Sequence, residues 1–188
     1  MSSERQFGNA HVEVVTELVR TPARSEARTW TTVHRKAAVI IAPMTPDGKI
    51  VLIHQERIPI RTAIWEMPSG QIDGPADETV EQVALRELRE EAGYELARDG
   101  KLTGLGHYFT SPGFTDERGQ FFLARPVQKC KEVSPGDEGE SILECREFSV
   151  EEIRQMIARN EIRDANTLSM WARLFACRLL PGEFVDRS

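Results

Sequence analysis

The chain has 188 residues, 40% of them hydrophobic and 29% charged, which is enough to bury a sizeable core in one domain. Its net charge of −6 argues against a nucleic-acid scaffold, which needs a basic stripe, but leaves room for a small phosphorylated substrate met through a metal ion. Cys130, Cys145 and Cys177 form no CxxC pair and read as reduced thiols, and no apolar run approaches membrane-spanning length, so a soluble, cytoplasmic protein is expected, with no membrane partner.

Residues 1–10 are polar and are expected to fray. Residues 11–20 and 27–35 read as two strands around the turn-prone Thr21-Pro22-Ala23-Arg24-Ser25-Glu26, a hairpin too small to stand alone. Residues 36–43 and 49–55 are β-rich runs flanking Thr45-Pro46-Asp47-Gly48. A short strand over 64–67 follows, with Trp65 expected to pack under the loop that comes next. Asp77 is the expected N-cap of a helix, and Gly93 stands where a helix end favours positive φ. Further strands are expected over 102–110, 120–126 and 142–148, with loops over 111–119 and 134–141. Ser149 and Glu152 form a capping-box pattern, and a last amphipathic helix is expected from about 164 to 180, ended by Pro181-Gly182. Strand runs with one central helix and one or two at the end indicate an α+β chain or an α/β/α sandwich.

The central helix carries the chemistry. Glu87, Glu90 and Glu91 fall at i, i+3 and i+4, so they project from one side, in line with Val80, Val83 and Ala84; Leu85, Leu88 and Ala92 form a second, apolar stripe. Carboxylates near a helix C-terminus oppose the macrodipole and repel one another, and a divalent cation removes both penalties. Oxygen ligands suit Mg²⁺ or Mn²⁺. A solvated acidic helix end is the alternative on spacing alone.

Arg86-Glu87-Leu88-Arg89-Glu90-Glu91-Ala92-Gly93-Tyr94, with Glu78 eight residues before Arg86, resembles the Nudix box, G-x5-E-x7-R-E-U-x-E-E-x-G-U. The box glycine is expected at position 72, which is Ile72; Gly70 is its equivalent if Gly74-Pro75-Ala76 replaces a single loop residue. The resemblance implies an α/β/α sandwich with a mixed sheet, comprising residues 36–188, and an N-terminal β arm over residues 1–35 that packs on a second copy to make a homodimer. It also implies Mg²⁺ (or Mn²⁺) held by Glu87 and Glu91, with Glu90 direct or through water and the backbone carbonyl of Ser69 as a further ligand. Arg86 is then expected to orient a glutamate, and Glu78 to close the turn before the helix through an ion pair.

Beyond the box, Ser111-Pro112-Gly113-Phe114-Thr115-Asp116-Glu117 resembles a loop of the ADP-ribose pyrophosphatase subgroup, making Phe114 and Glu117 substrate-contact candidates. Arg57 matches a phosphate-contacting arginine of that subgroup; an exposed strand-end arginine is the alternative. Trp30 matches an adenine-stacking tryptophan, against an interface or core role. For the general base the resemblance points to Glu140, with Glu138 second, in a loop that composition alone reads as solvated surface. The implied activity is Mg²⁺-dependent cleavage of ADP-ribose to AMP and ribose 5-phosphate. Broader hydrolysis of ADP- or GDP-sugars and a silent nucleotide-sensing module are the alternatives; an RNA 5′-end substrate fits poorly with the acidic charge.

Overall fold

Val39-Ile40-Ile41-Ala42 is an apolar run with no accessible surface, the signature of a strand covered on both faces. The computed structural model of the protein describes residues 3–75, 77–131 and 141–182. The run lies in β4 (Ala38–Pro43), which pairs antiparallel with the short β7 (Ser69–Gln71) and parallel with β9 (Arg118–Lys129). The long β8 (Tyr94–Phe109) closes this four-stranded mixed sheet on the far side of β9. A second sheet orders β10 (Ile142–Phe148), β5 (Ile50–Arg57) and β6 (Thr62–Glu66), all antiparallel.

Period-two alternation sorts the side chains of β4 and β5 into two cores. Val39, Ile41, Val51 and Ile53 pack with Val83, Ala84, Leu88 and Ala92 of α1 (Val80–Ala92). Ile40, Ala42, Ile50 and Leu52 pack with Ile153 and Met156 of α2 (Val150–Ala158) and with Met170 and Leu174 of α3 (Ala165–Ala176). Helices therefore cover both faces of the strands, the α/β/α arrangement expected.

The N-terminal arm is larger than a hairpin. β2 (Val12–Thr21) and β3 (Arg24–Arg35) pair as expected, but β1 (Ser3–Gly8) adds a third strand where fraying was expected. The side chain of Asn9 organises the reversal, accepting from the amides of His11 (2.8 Å) and Val12 (2.9 Å), so a polar segment needs no core of its own to pair. Val15 is the arm's single residue in the buried core among those described.

Three further boundaries differ from expectation. The N-cap of α1 is Thr79, not Asp77: its hydroxyl accepts from Gln82 N (3.2 Å) while Gln82 Oε1 accepts from Thr79 N (2.7 Å). This reciprocal pair satisfies two orphan groups where Asp77 could satisfy one. β8 begins at Tyr94, eight residues early, because Arg98-Asp99-Gly100 is absorbed as an irregularity in the pairing with β9 rather than forming a turn. α3 ends at Ala176 rather than near residue 180, and Arg178 takes positive φ. Ser149 and Glu152 do form the capping box of α2, and Gly93 ends α1 with φ of 68°.

Candidate active site

α1 buries one continuous face rather than two stripes: Val83, Ala84, Glu87, Leu88, Glu91 and Ala92, while Leu85 points outward. At 100° per residue these six residues fill half the helix circumference, so the acidic and apolar stripes are neighbouring arcs of the same inner side. Glu87 and Glu91 are only 7% and 5% exposed, and Glu90 is half-buried beside them.

Strand β7 presses against these carboxylates. The amide of Ser69 donates to Glu91 Oε2 (2.6 Å), and a Cβ on Gly70 would stand 2.0 Å from Glu87 Cδ. This close approach, and not a positive φ, is what favours glycine at position 70. Arg86 Nη1 lies 2.8 Å from Glu87 Oε1 and 2.9 Å from Glu90 Oε2, while its Nε donates to Glu78 Oε1 (3.2 Å). One guanidinium thus joins the loop-side Glu78 to two box glutamates. Burial acts to lower its pKa, but the three surrounding carboxylates outweigh this and raise it, fixing the positive charge.

The donor set suits a hard divalent cation. Two buried carboxylates one turn apart, at the negative end of a helix, supply the oxygen donors that such an ion takes. Among the described residues no three His, Cys, Asp or Glu side chains converge on a common point for a metal ion. Glu138 and Glu140 lie outside the described residues.

In front of β7 runs a groove of about 550 Å³, bounded by Arg35, Arg57, Glu66, Ser69, Gly70 and Glu117. Arg57 enters from the end of β5 and Glu66 from β6, and the two form a two-point ion pair: Arg57 Nε donates to Glu66 Oε1 (2.9 Å) and Nη2 to Oε2. Burial raises the Glu66 pKa, opposed by Arg57. Glu117 accepts from Thr110 Oγ1 (2.9 Å) and pairs with Arg35 (3.0 Å).

A second cleft, about 300 Å³, lies between the arm and the 111–117 loop, lined by Trp30, Phe109, Pro112 and Phe114. Trp30 and Phe114 are each half exposed. The arm is tied to the loop by Val33 N donating to Phe114 O (2.8 Å), by Arg35–Glu117, and by His34 Nδ1 at 2.7 Å from Asp116 Oδ2. Sequence reading gave His34 no role; its only signal is the acidic Asp116-Glu117 pair downstream, which needs basic partners.

The structure therefore gathers Ser69, Gly70, Glu78, Arg86, Glu87, Glu90 and Glu91 around one helix, and Arg57 and Glu117 along the adjoining groove. Trp65 is not under the loop that precedes α1. It stacks on His54 (4.7 Å) and meets Phe148 edge-on (4.9 Å), because the strand period that turns Ile64 and Glu66 toward the groove turns Trp65 the opposite way. Glu66 and Arg35 were missed as groove residues. A glutamate in the apolar run Ile64-Trp65-Glu66-Met67 was the available signal, since a buried charge needs a partner.

The chain is similar to known proteins over most of its length. The chain is 32% identical over 167 residues to the ADP-ribose pyrophosphatase of Bacillus subtilis, covering 89% of this chain and 86% of that protein. It is 31% identical over 168 residues to the methanol dehydrogenase activator of Bacillus methanolicus, covering 89% and 87%. The crystal structure of an ADP compounds hydrolase superposes with a TM-score of 0.78 over 94% of this chain and 91% of that one; at 19% identity it speaks to the fold. The profile of the NUDIX domain matches residues 33–170, a span that holds the buried glutamates of α1, the Gly70 strand and the groove, and the chain belongs to the Nudix family.

Proposed function

We propose that the protein is a pyrophosphohydrolase that cleaves ADP-ribose to AMP and ribose 5-phosphate with a divalent cation, Mg²⁺ or Mn²⁺. The observation that carries the reading is the burial of Glu87 against Gly70 and of Glu91 against the Ser69 amide, directly behind the Ser69–Gly70 stretch that lines a groove also presenting Arg57. Similarity to an ADP-ribose pyrophosphatase over most of both chains supports the choice of substrate.

Glu87 and Glu91, with Glu90 and the Ser69 carbonyl, are the residues that would hold the cation. Bound there, it would neutralise diphosphate oxygens and acidify a water. The chain's own residues do the rest. Arg57 binds a phosphate of the diphosphate through its guanidinium. Trp30 and Phe114 supply aromatic faces for adenine in the cleft between arm and loop. Glu140, with Glu138 as second candidate, takes the proton of the attacking water as one P–O bond of the diphosphate breaks. Arg86 holds Glu87 and Glu90 in place and itself touches no substrate. The arm, residues 1–35, pairs with a second copy, so the protein acts as a homodimer; its sparse internal burial supports this. Among the described residues, no helix is long and apolar enough to cross a membrane.

A panel of ADP-ribose, ADP-glucose, GDP-mannose and NADH, assayed with Mg²⁺ and with chelator, tests the reading. Mg²⁺-dependent release of AMP from ADP-ribose well ahead of the others is expected. Comparable turnover of several nucleotide sugars would overturn the substrate assignment, and no turnover would overturn the enzymatic one.

A further inference from the structure

Glu66 is 2% exposed, yet it carries a carboxylate in a strand whose neighbours are apolar. Its partner is Arg57, held through both Nε and Nη2. The arginine side chain is 38% exposed and faces the groove, where its charge also senses Glu91 on α1 and Asp164 at the start of α3. Among the described residues Arg57 Nη1 makes no hydrogen bond, so the edge turned away from Glu66 is open to a ligand.

From this geometry we infer that Glu66 is a positioning residue: by gripping one edge of Arg57 it aims the other edge at the diphosphate, beside the metal-binding carboxylates. The inference rests on the proposed function, in which Arg57 binds phosphate.

Three structural features support it. An arginine has several rotatable bonds and loses rotamer freedom when fixed, so fixing it before the substrate arrives raises affinity. The grip is planar and two-point, which fixes the orientation of the guanidinium as well as its place. Glu66 and Arg57 stand on adjacent antiparallel strands, with Arg57 opposite Thr62 and Ile53 opposite Glu66, so the pair spans the β5–β6 ladder diagonally on its groove face. No loop motion is needed to assemble it.

The test is a double-mutant cycle in the full chain with ADP-ribose and Mg²⁺, using Glu66→Gln, Arg57→Ala and the double variant, with Glu66→Asp as a fourth protein. Glu66→Gln is expected to raise KM by about tenfold or more, since misplacement of a binding group costs up to roughly 100-fold. Its kcat should stay within about threefold of wild type, as expected for lost uniform binding. Adding Glu66→Gln to Arg57→Ala should cost nothing further. Glu66→Asp keeps the charge but shortens the reach, and should show the same rise in KM. Equal losses from Glu66→Gln in both Arg57 backgrounds would show a purely structural role and overturn the inference. A normal KM in Glu66→Gln or Glu66→Asp with an impaired Arg57→Ala would overturn it while leaving the phosphate role of Arg57 standing. A normal Arg57→Ala would overturn both.

Discussion

Gly70→Ala is the smallest change that addresses the glutamates directly. The added Cβ would stand 2.0 Å from Glu87 Cδ and 2.3 Å from Glu87 Oε1, where ordinary contacts begin at 3.4 Å. The carboxyl group must therefore swing by more than an ångström. It has little freedom to do so cheaply, because it is 7% exposed and its Oε1 is held at 2.8 Å by Arg86. A displacement of that size in a catalytic group costs about 100-fold in rate, equivalent to about 2.7 kcal/mol of barrier. The structural cost of one extra methyl is about 1–3 kcal/mol. For a chain of this size that lowers Tm by roughly 2–12 °C and leaves it folded at 25 °C. The assay is AMP release from ADP-ribose over a range of Mg²⁺, with a circular-dichroism melt of the same sample. A kcat/KM reduced about 100-fold, with half-activation moved to higher Mg²⁺, is expected. Wild-type kinetics in a folded Gly70→Ala protein would refute the assignment of Glu87 as a ligand at its observed position.

Three other expectations follow from individual contacts. The His34–Asp116 pair joins the arm to the 111–117 loop; the hydrogen bond to Asp116, helped by the charges of Glu13 and Glu17, raises the His34 pKa, while Asp116 is lowered by the same bond against the effect of burial. Its stabilisation is therefore full between the ordinary carboxylate and imidazole values and fades as pH rises through the raised value of His34. Both groups are well exposed, so the loss is screened to about 0–1 kcal/mol, and Tm of the wild type relative to His34→Gln should fall by a few degrees at most between about pH 5.5 and about pH 8.5; a constant difference would contradict the pairing. Glu140→Gln should lower kcat at least about 100-fold with KM nearly unchanged, and an unchanged kcat would move the base elsewhere. Light scattering should show a dimer for the full chain and a loss of dimer when residues 1–35 are removed; a full-length monomer would refute the arm as a subunit contact.

How much could be read in advance depended on whether a feature is local. Gly93, the Ser149–Glu152 box and the glutamate spacing in α1 are short-range patterns, and they stand as expected. The buried strands β4 and β5 were visible as apolar runs for the same reason. Features decided by a distant partner were missed. β1 is polar and is held by pairing with β2, which composition does not reveal. Trp65 was misplaced because the register of β6 against β5, which sends Glu66 to one side and Trp65 to the other, is set by tertiary pairing. The site divides the same way. Glu87, Glu90, Glu91 and Arg86 share one helix and one motif, whereas Glu66 gains its meaning only when Arg57, nine residues earlier, is laid beside it. Gly70 could be picked out as the displaced box glycine, but the reason a glycine stands there, the Glu87 carboxyl where a Cβ would be, is set by tertiary packing.

The central claim is that the buried glutamates of α1 form the metal centre of a diphosphate hydrolase. The most direct test is the rate of AMP release from ADP-ribose by Glu91→Gln beside wild type, at saturating Mg²⁺. Glu91 packs against the Ser69 amide rather than in the apolar core, so the glutamine variant should remain folded. A rate reduced to background in a folded protein is the predicted result. Turnover at the wild-type rate would contradict the account.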